Sequence, residues 1–365
     1  MTETHFGRFF LPGPTEVRAA VLQAMLQPMM PHRGAAFEAL YARLQVGLKA
    51  VFRTTQPVFI STSSATGMME AAVRCTAPGT IVAMVNGAFS ARFAHIVESC
   101  GREVDVLKAP LGESVSIDAV RDRLQQGGVV AVLVVHSETS TGVRTDVRAV
   151  SDLAHEHGAM CLIDSVTGVG GIPVEFDDWG LDFVLTGSQK ALALPPGLAF
   201  AAASPDFMDQ ARASVGRGVY FDLVEFAEFH LKNQTPSTPA LSLLYALDCQ
   251  LEAIMAEGME ARWARHQQMA DRTHAWADEL GAKLGQPIGI LAPARSRAQT
   301  VSAITLPEGV TGPDVVRRVA ETGYTIGAGY GALKDTTIRI GHMGDHSLSG
   351  LEGCLDAVKV EGLRG

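Results

Sequence analysis

The sequence predicts an α/β chain: a mostly parallel central sheet sandwiched by helices, followed by a smaller carboxyl-terminal α/β unit. Three observations carry this. Short apolar runs without polar alternation, such as Val129 to Val135, are strands buried on both faces, which a parallel sheet under two helix layers requires. These runs alternate with helical segments at the rhythm of strand–helix–strand units. After about Leu241 the texture changes to a long helix-prone tract, Leu241 to Leu284, followed by shorter runs.

Residues 1–20 read as an extended arm, because the prolines of Phe9-Phe10-Leu11-Pro12-Gly13-Pro14-Thr15 keep it from being helical. Glu16 to Gln27 has helical apolar spacing and ends at Pro28. Phe37 to Phe52 is an amphipathic helix with Leu40, Leu44, Leu48 and Val51 on one side. Strands then follow at Val58 to Ser61, Ile81 to Val85, Val104 to Leu107, Val129 to Val135, Met160 to Asp164, Phe183 to Leu185 and Leu198 to Ala203. Helices fall between them at Gly67 to Cys75, Ala91 to Cys100, Ile117 to Gln125 and Val147 to His157. Residues 21–240 thus form the large unit. Residues 241–365 supply a long linking helix and a small domain with Ser302 to Leu306, Asp314 to Glu321 and Thr337 to Ile340.

Composition excludes several classes. A hydrophobic content of 47% over 365 residues is ample for sizeable cores. The longest uninterrupted apolar run has seven residues, Val129 to Val135, too few to span a membrane. The formal charge of −9, with scattered Lys and Arg, argues against a nucleic-acid surface. Five widely spaced cysteines without a Cys-x-x-Cys read as reduced thiols rather than disulfides or a zinc site. Met1 to His5 has neither a basic region nor an apolar core for export, so the expected location is cytoplasmic.

The chemistry centres on Thr186-Gly187-Ser188-Gln189-Lys190, which follows the apolar Val184-Leu185, and on Asp164, which closes an earlier strand. Ligands of such sheets bind beyond the carboxyl ends of the strands, where both residues stand. A neighbouring amine and carboxylate are what a pyridoxal phosphate enzyme needs, the amine to hold the aldehyde and the acid to keep the ring nitrogen protonated. Alone, the pair is a surface lysine and a strand-end aspartate; its meaning depends on what surrounds it.

Ser61-Thr62-Ser63-Ser64-Ala65-Thr66-Gly67 is either a phosphate cradle at a helix start or a Ser/Thr cap. Phe89, in Asn86-Gly87-Ala88-Phe89-Ser90, is either core or a ring for a flat cofactor. The polar run His136-Ser137-Glu138-Thr139-Ser140-Thr141-Gly142 opens from a buried strand, where unpaired groups are costly; Thr139 either donates to a ligand or caps the next helix. Arg339, inside Thr337-Ile338-Arg339-Ile340, has no acid beside it and suits a substrate carboxylate, unless it snorkels from an edge strand. Gly168-Val169-Gly170-Gly171 lacks dinucleotide spacing, His155-Glu156-His157 lacks zinc-helix spacing, and no Gly-x-Ser-x-Gly elbow surrounds Ser188.

In order and spacing these motifs resemble the class V aminotransferases of the fold type I pyridoxal phosphate enzymes, in particular the alanine and serine transaminases that use glyoxylate or pyruvate. The resemblance runs from Leu11-Pro12-Gly13-Pro14-Thr15 through Ser64 to Ala71, His136 to Gly142, Asp164-Ser165 and Gly187 to Leu192 to Arg339-Ile340-Gly341. It implies that pyridoxal 5'-phosphate is the cofactor, Lys190 the Schiff-base lysine and Asp164 the pyridinium partner. It further implies that Ser64, Ala65, Thr66 and Gln189 hold the phosphate, Phe89 stacks on the ring, Thr139 bonds the ring oxygen and Arg339 binds the substrate carboxylate. A Thr-Pro segment from a second subunit reaches the phosphate in the family; Thr238-Pro239 is preferred here over Thr235-Pro236, implying a homodimer with shared sites. Ala65 stands where the family usually has glycine, and Phe89 where several relatives have tryptophan or tyrosine.

The expected reaction moves an amino group from alanine or serine to a 2-oxo acid such as glyoxylate or pyruvate. A 2-aminoethylphosphonate transaminase, or a class V lyase or desulfurase, is the alternative within the family. The latter relatives carry a histidine before the lysine and a mobile cysteine, where this chain has Gln189 and no cysteine in a polar loop. A catalytically silent dimeric scaffold is the alternative of another class. One carboxylate arginine with no evident second favours a small donor over a dicarboxylic acid.

Overall fold

The computed structural model describes residues 6–363. Met1 to His5, read above for an export signal, and Arg364 and Gly365 of the 241–365 unit lie outside the described residues. The strands are β1 Val58–Ser61, β2 Thr80–Val85, β3 Val104–Lys108, β4 Val129–Val135, β5 Ser137–Glu138, β6 Val143–Arg144 and β7 Met160–Asp164. They continue as β8 Phe183–Gly187, β9 Ala199–Ala203, β10 Gly289–Ile290, β11 Val301–Thr305, β12 Gly327–Ala328 and β13 Thr337–Gly341.

Seven strands make one sheet in the order β1-β9-β8-β7-β4-β2-β3. β3, β2, β4, β7 and β8 run parallel, and β9 is antiparallel to both its neighbours. The apolar runs bury both faces because alternate side chains enter different cores. Val132, Val134, Cys161, Ile163 and Val184 face one, beneath helices Ala35–Phe52, Val147–Glu156 and Leu241–Glu257. Ala131, Leu133, Leu162, Phe183 and Leu185 face the other, beneath Ala65–Cys75 and Ala88–Ser99. β3 departs from the expected pattern: it is the sheet edge and half-exposed, which its charged Asp105 and Lys108 accommodate.

Two helical expectations are corrected. The segment 16–27 is helical only over Ala19–Ala24, because Thr15 N–H is drawn to the Gln189 carbonyl and Arg18 to Asp345. The tract 241–284 breaks at Gly258, where φ is +82°, a conformation that glycine adopts at low cost. Leu244, Leu247, Leu251 and Ile254 before the break pack into the large core. Met269, Trp276 and Leu280 after it pack into a second core over the antiparallel sheet β10-β11-β13-β12. Gly258 thus stands between the helix packed on the large sheet and the helix packed on the small one. The amino-terminal arm reaches the small sheet: Phe10 is buried in the second core and its N–H donates to the Thr325 carbonyl at 2.7 Å. Among the described residues, no helix is long and apolar enough to cross a membrane.

Candidate active site

β7 and β8 are parallel neighbours with Asp164 paired to Leu185, so their carboxyl ends open on the same edge of the sheet. Asp164 is the last residue of β7, and Lys190 lies three residues beyond β8. The lysine turn is held from within. Ser188 Oγ donates to the Pro195 carbonyl at 2.8 Å and accepts from Leu198 N–H at 3.2 Å, while Ala193 N–H returns to the Lys190 carbonyl at 2.8 Å. The arm covers this turn: Thr15 N–H donates to the Gln189 carbonyl, Thr15 Oγ1 to the Lys190 carbonyl, and Lys190 Nζ donates to the Pro12 carbonyl. Gly13, at φ +114°, allows that approach, since any side chain there runs into Lys190.

Lys190 and Asp164 are both buried, and neither joins an ion pair among the described residues. Burial pushes the Lys190 amine down to about 8, helped by the nearby positive charge of Arg339. Burial pushes the Asp164 carboxyl up to about 7, although Val166 N–H donates to its Oδ1 at 2.8 Å. The other carboxylate oxygen has no protein donor among the described residues.

Both line a cavity of about 200 Å³. Ser64, Ala65 and Thr66 line one side, and Phe89, Thr139 and Gln189 line the rest. The choice between cap and cradle is visible here. Helix Ala65–Cys75 starts two residues before the expected Gly67, and Ser64 occupies its cap position without a side-chain cap bond. Gly67 N–H returns to the Ser64 carbonyl at 2.9 Å, while the Ser64 hydroxyl and the Ala65 and Thr66 amides are open to a cradle role. Thr139 is buried, with only a 3.4 Å bond from its Oγ1 to Thr167 Oγ1. Arg339 stands beside the cavity: Nε donates to the Ala328 carbonyl at 2.9 Å and Nη1 to the Thr139 carbonyl at 3.3 Å, with no carboxylate partner among the described residues. Thr238 is not brought to this cavity within one subunit. It is exposed, 3.5 Å from His32 Nε2, on a small pocket shared with Thr62 and Tyr220.

Several residues that shape the site were not singled out in the sequence. Glu138 is fully buried; its carboxylate accepts from Ser90 N–H at 2.9 Å, Phe89 N–H at 3.1 Å and Ser140 Oγ at 2.6 Å. It thereby fixes the start of helix Ala88–Ser99 and with it the Phe89 ring. Gly87 leaves room for that carboxylate, which a Cβ would strike. Arg92 lines the cavity with its guanidinium 5.1 Å from the Phe89 centroid and no ion-pair partner among the described residues. This corrects the expectation that no second arginine is available. The signal for Glu138 was its place in the polar run after β4; for Arg92 it was the helical step of three from Phe89.

The profile of the aminotransferase class-V family matches residues 9–338. The chain belongs to the class V aminotransferases. This class V aminotransferase is 34% identical to the L-aspartate–glyoxylate aminotransferase of Paracoccus denitrificans over 92% of its length and 86% of that protein's. It is 32% identical to the serine–glyoxylate aminotransferase of Arabidopsis thaliana, over 96% of this chain and 89% of that one. The crystal structure of an alanine–glyoxylate aminotransferase from Nostoc sp. superposes with a TM-score of 0.90 at 27% identity, covering 98% of this chain and 96% of that chain. The chain is thus a transaminase with the fold type I architecture.

The family implies pyridoxal phosphate, and the residues present fit it. The uncapped helix start at Ser64 offers amides and hydroxyls to a phosphate, Asp164 lines the cavity with one carboxylate oxygen unbonded, and the Lys190 amine, outside any ion pair among the described residues, and the Phe89 ring complete the lining.

Proposed function

We propose that this chain transfers an amino group from alanine or serine to glyoxylate or pyruvate, using pyridoxal 5'-phosphate held by Ser64, Ala65, Thr66 and Gln189. The observation that carries this reading is the pairing of two buried, unbridged charges, Lys190 and Asp164, on one cavity beside an arginine whose bonds go only to carbonyls. When bound, the cofactor supplies an aldehyde that takes the amino group and a ring that accepts the electron pair. Asp164 holds a proton on the ring nitrogen through its free oxygen. Lys190 Nζ, made a better base at neutral pH by burial, takes the proton from the donor's α carbon. Arg339 orients the substrate carboxylate, Phe89 supports the ring and Thr139 bonds the ring oxygen.

The chain works as a homodimer in the cytoplasm, with Thr238 of one subunit completing the phosphate site of the other. Two features support the dimer: Thr238 is exposed, and Val219, 79% exposed, adjoins the Tyr220 that shares its pocket. A desulfurase reading loses ground because no cysteine lines the cavity. Cys75, Cys161 and Cys354 are buried, and burial raises all three thiols.

A second reading, aspartate as donor, is favoured by Arg92, a cation free to take a distal carboxylate. Glycine formation from glyoxylate with alanine, serine, aspartate and 2-aminoethylphosphonate separates these readings. Alanine or serine is expected to lead. An aspartate preference that disappears in Arg92→Gln selects the second reading, and glycine from no donor, or borohydride fixing the cofactor away from Lys190, overturns both.

A further inference from the structure

Outside the cavity, a cluster of buried charge surrounds Arg262, in helix Met259–Leu284 just past the Gly258 break. Its side chain is 1% exposed, and its bonds reach four separate parts of the molecule. Nη2 donates to the Ala191 carbonyl at 2.7 Å, next to Lys190. Nε donates to the Gly170 carbonyl at 3.0 Å, in the loop that follows Asp164. Nη1 reaches Glu257 at 2.8 Å and Asp345 at 2.9 Å, and Asp345 also holds Arg18 of the arm at 2.6 Å.

The two carbonyls belong to the two loops that must be kept in register. The lysine turn needs an external hold: Ala193 has φ +53°, a left-handed conformation that a non-glycine residue keeps only when its surroundings enforce it. Gly170, at φ +86°, leaves room for the second loop, since a Cβ there would lie 3.0 Å from Leu192. We propose that Arg262 is a positioning residue for catalysis, its planar fork bolting the Lys190 turn to the Asp164 loop so that amine and carboxylate face one another across the cavity. This rests on the transaminase reading for its purpose but not for its test. Only a guanidinium supplies divergent donors in a fixed plane; a lysine in its place keeps the charge and loses the fork.

The test reads Lys190 directly in the cofactor-free full-length chain. Trinitrobenzenesulfonate labelling of Lys190, followed by peptide mapping across pH, gives a midpoint for the amine. Arg262→Lys and Arg262→Gln are both expected to raise that midpoint by half a pH unit or more, as a loosened turn admits water. With cofactor, both lower kcat by about 10- to 100-fold with little change in donor KM, the size expected for slight misplacement of a reacting group. Arg265→Gln is the control. Arg265, on the same helix as Arg262, bonds Glu257 and the Gly344 and His346 carbonyls but neither loop, so its loss is expected to lower Tm and leave the midpoint unchanged.

Where Arg262→Gln does not fold, Arg262→Gln/Asp345→Asn removes the buried acid with its cation and carries the same measurement. The proposal is overturned if Arg262→Lys keeps the wild-type midpoint and kcat, if the midpoint moves equally in Arg265→Gln, or if no variant at 262 folds, which would make the role structural. Wild type that takes up no pyridoxal phosphate would instead overturn the transaminase reading while leaving the labelling result interpretable.

Discussion

Two sets of buried charge lie within a few residues of each other and are treated in opposite ways. Around Arg262 every charge is answered: two carbonyls and two carboxylates surround the guanidinium, and although burial pushes the Asp345 carboxyl up, Arg262, Gln250 and Arg18 together hold it below its ordinary value. In the cavity Lys190 and Asp164 have one backbone partner each, the Pro12 carbonyl and Val166 N–H, and no opposite charge bonded to either among the described residues, and burial drives both toward neutrality. The first arrangement ties distant parts of the chain together. The second is an unfavourable state that a bound ligand would relieve, the arrangement that the proposed catalytic roles call for.

The contrast can be broken in four ways. Lys190→Ala should lower kcat by about 10³- to 10⁴-fold, without loss of stability. The folded amine, at about 8, sits below its ordinary 10.5, so it costs stability at pH 7, a cost that fades as pH rises between those values. A urea midpoint at pH 7 that falls in the variant, rather than holding or rising, contradicts the comparison.

Asp164→Asn probes the other member. The folded acid keeps its proton to about 7 and the unfolded acid only to its ordinary 3.8, so the cofactor-free protein loses stability as pH rises between these values. The asparagine variant should lack that slope, a difference of roughly 2–4 kcal/mol between pH 4 and pH 8. Parallel pH profiles for the two proteins would show that Asp164 is satisfied after all.

Arg339→Lys should raise donor KM by about 10- to 100-fold with a smaller change in kcat, since a charge-assisted bidentate contact is lost. An unchanged KM would move the carboxylate site to Arg92. Glu138→Gln should cost about 1–2 kcal/mol in urea unfolding, because an amide nitrogen replaces one acceptor facing several donors. No loss would mean that the Phe89 helix start does not depend on it.

The strands were legible because each is short, apolar and bounded by turns, and the meeting of Lys190 and Asp164 on one cavity was legible because both follow the carboxyl ends of strands. Ser64 was ambiguous because a capping hydroxyl and a ligand-binding hydroxyl occupy the same sequence position; only the absent cap bond separates them. Glu138 sat in a run of hydroxyl neighbours with nothing local to say which side chain turns inward. The break at Gly258 was hidden by good helix formers on both sides, and Arg262 resembles any exposed helix arginine until its four acceptors, drawn from distant parts of the chain, are in place.

The arm also has a consequence for how the molecule is made. Thr15 meets Lys190 across 175 residues and Arg18 meets Asp345 across 327. Thr15 and Arg18 therefore wait for partners synthesised long after them, and contacts of such span form slowly. A nascent or truncated polypeptide carries the reactive amine but not its cover. The cover over Lys190 is complete only when these distant stretches have met.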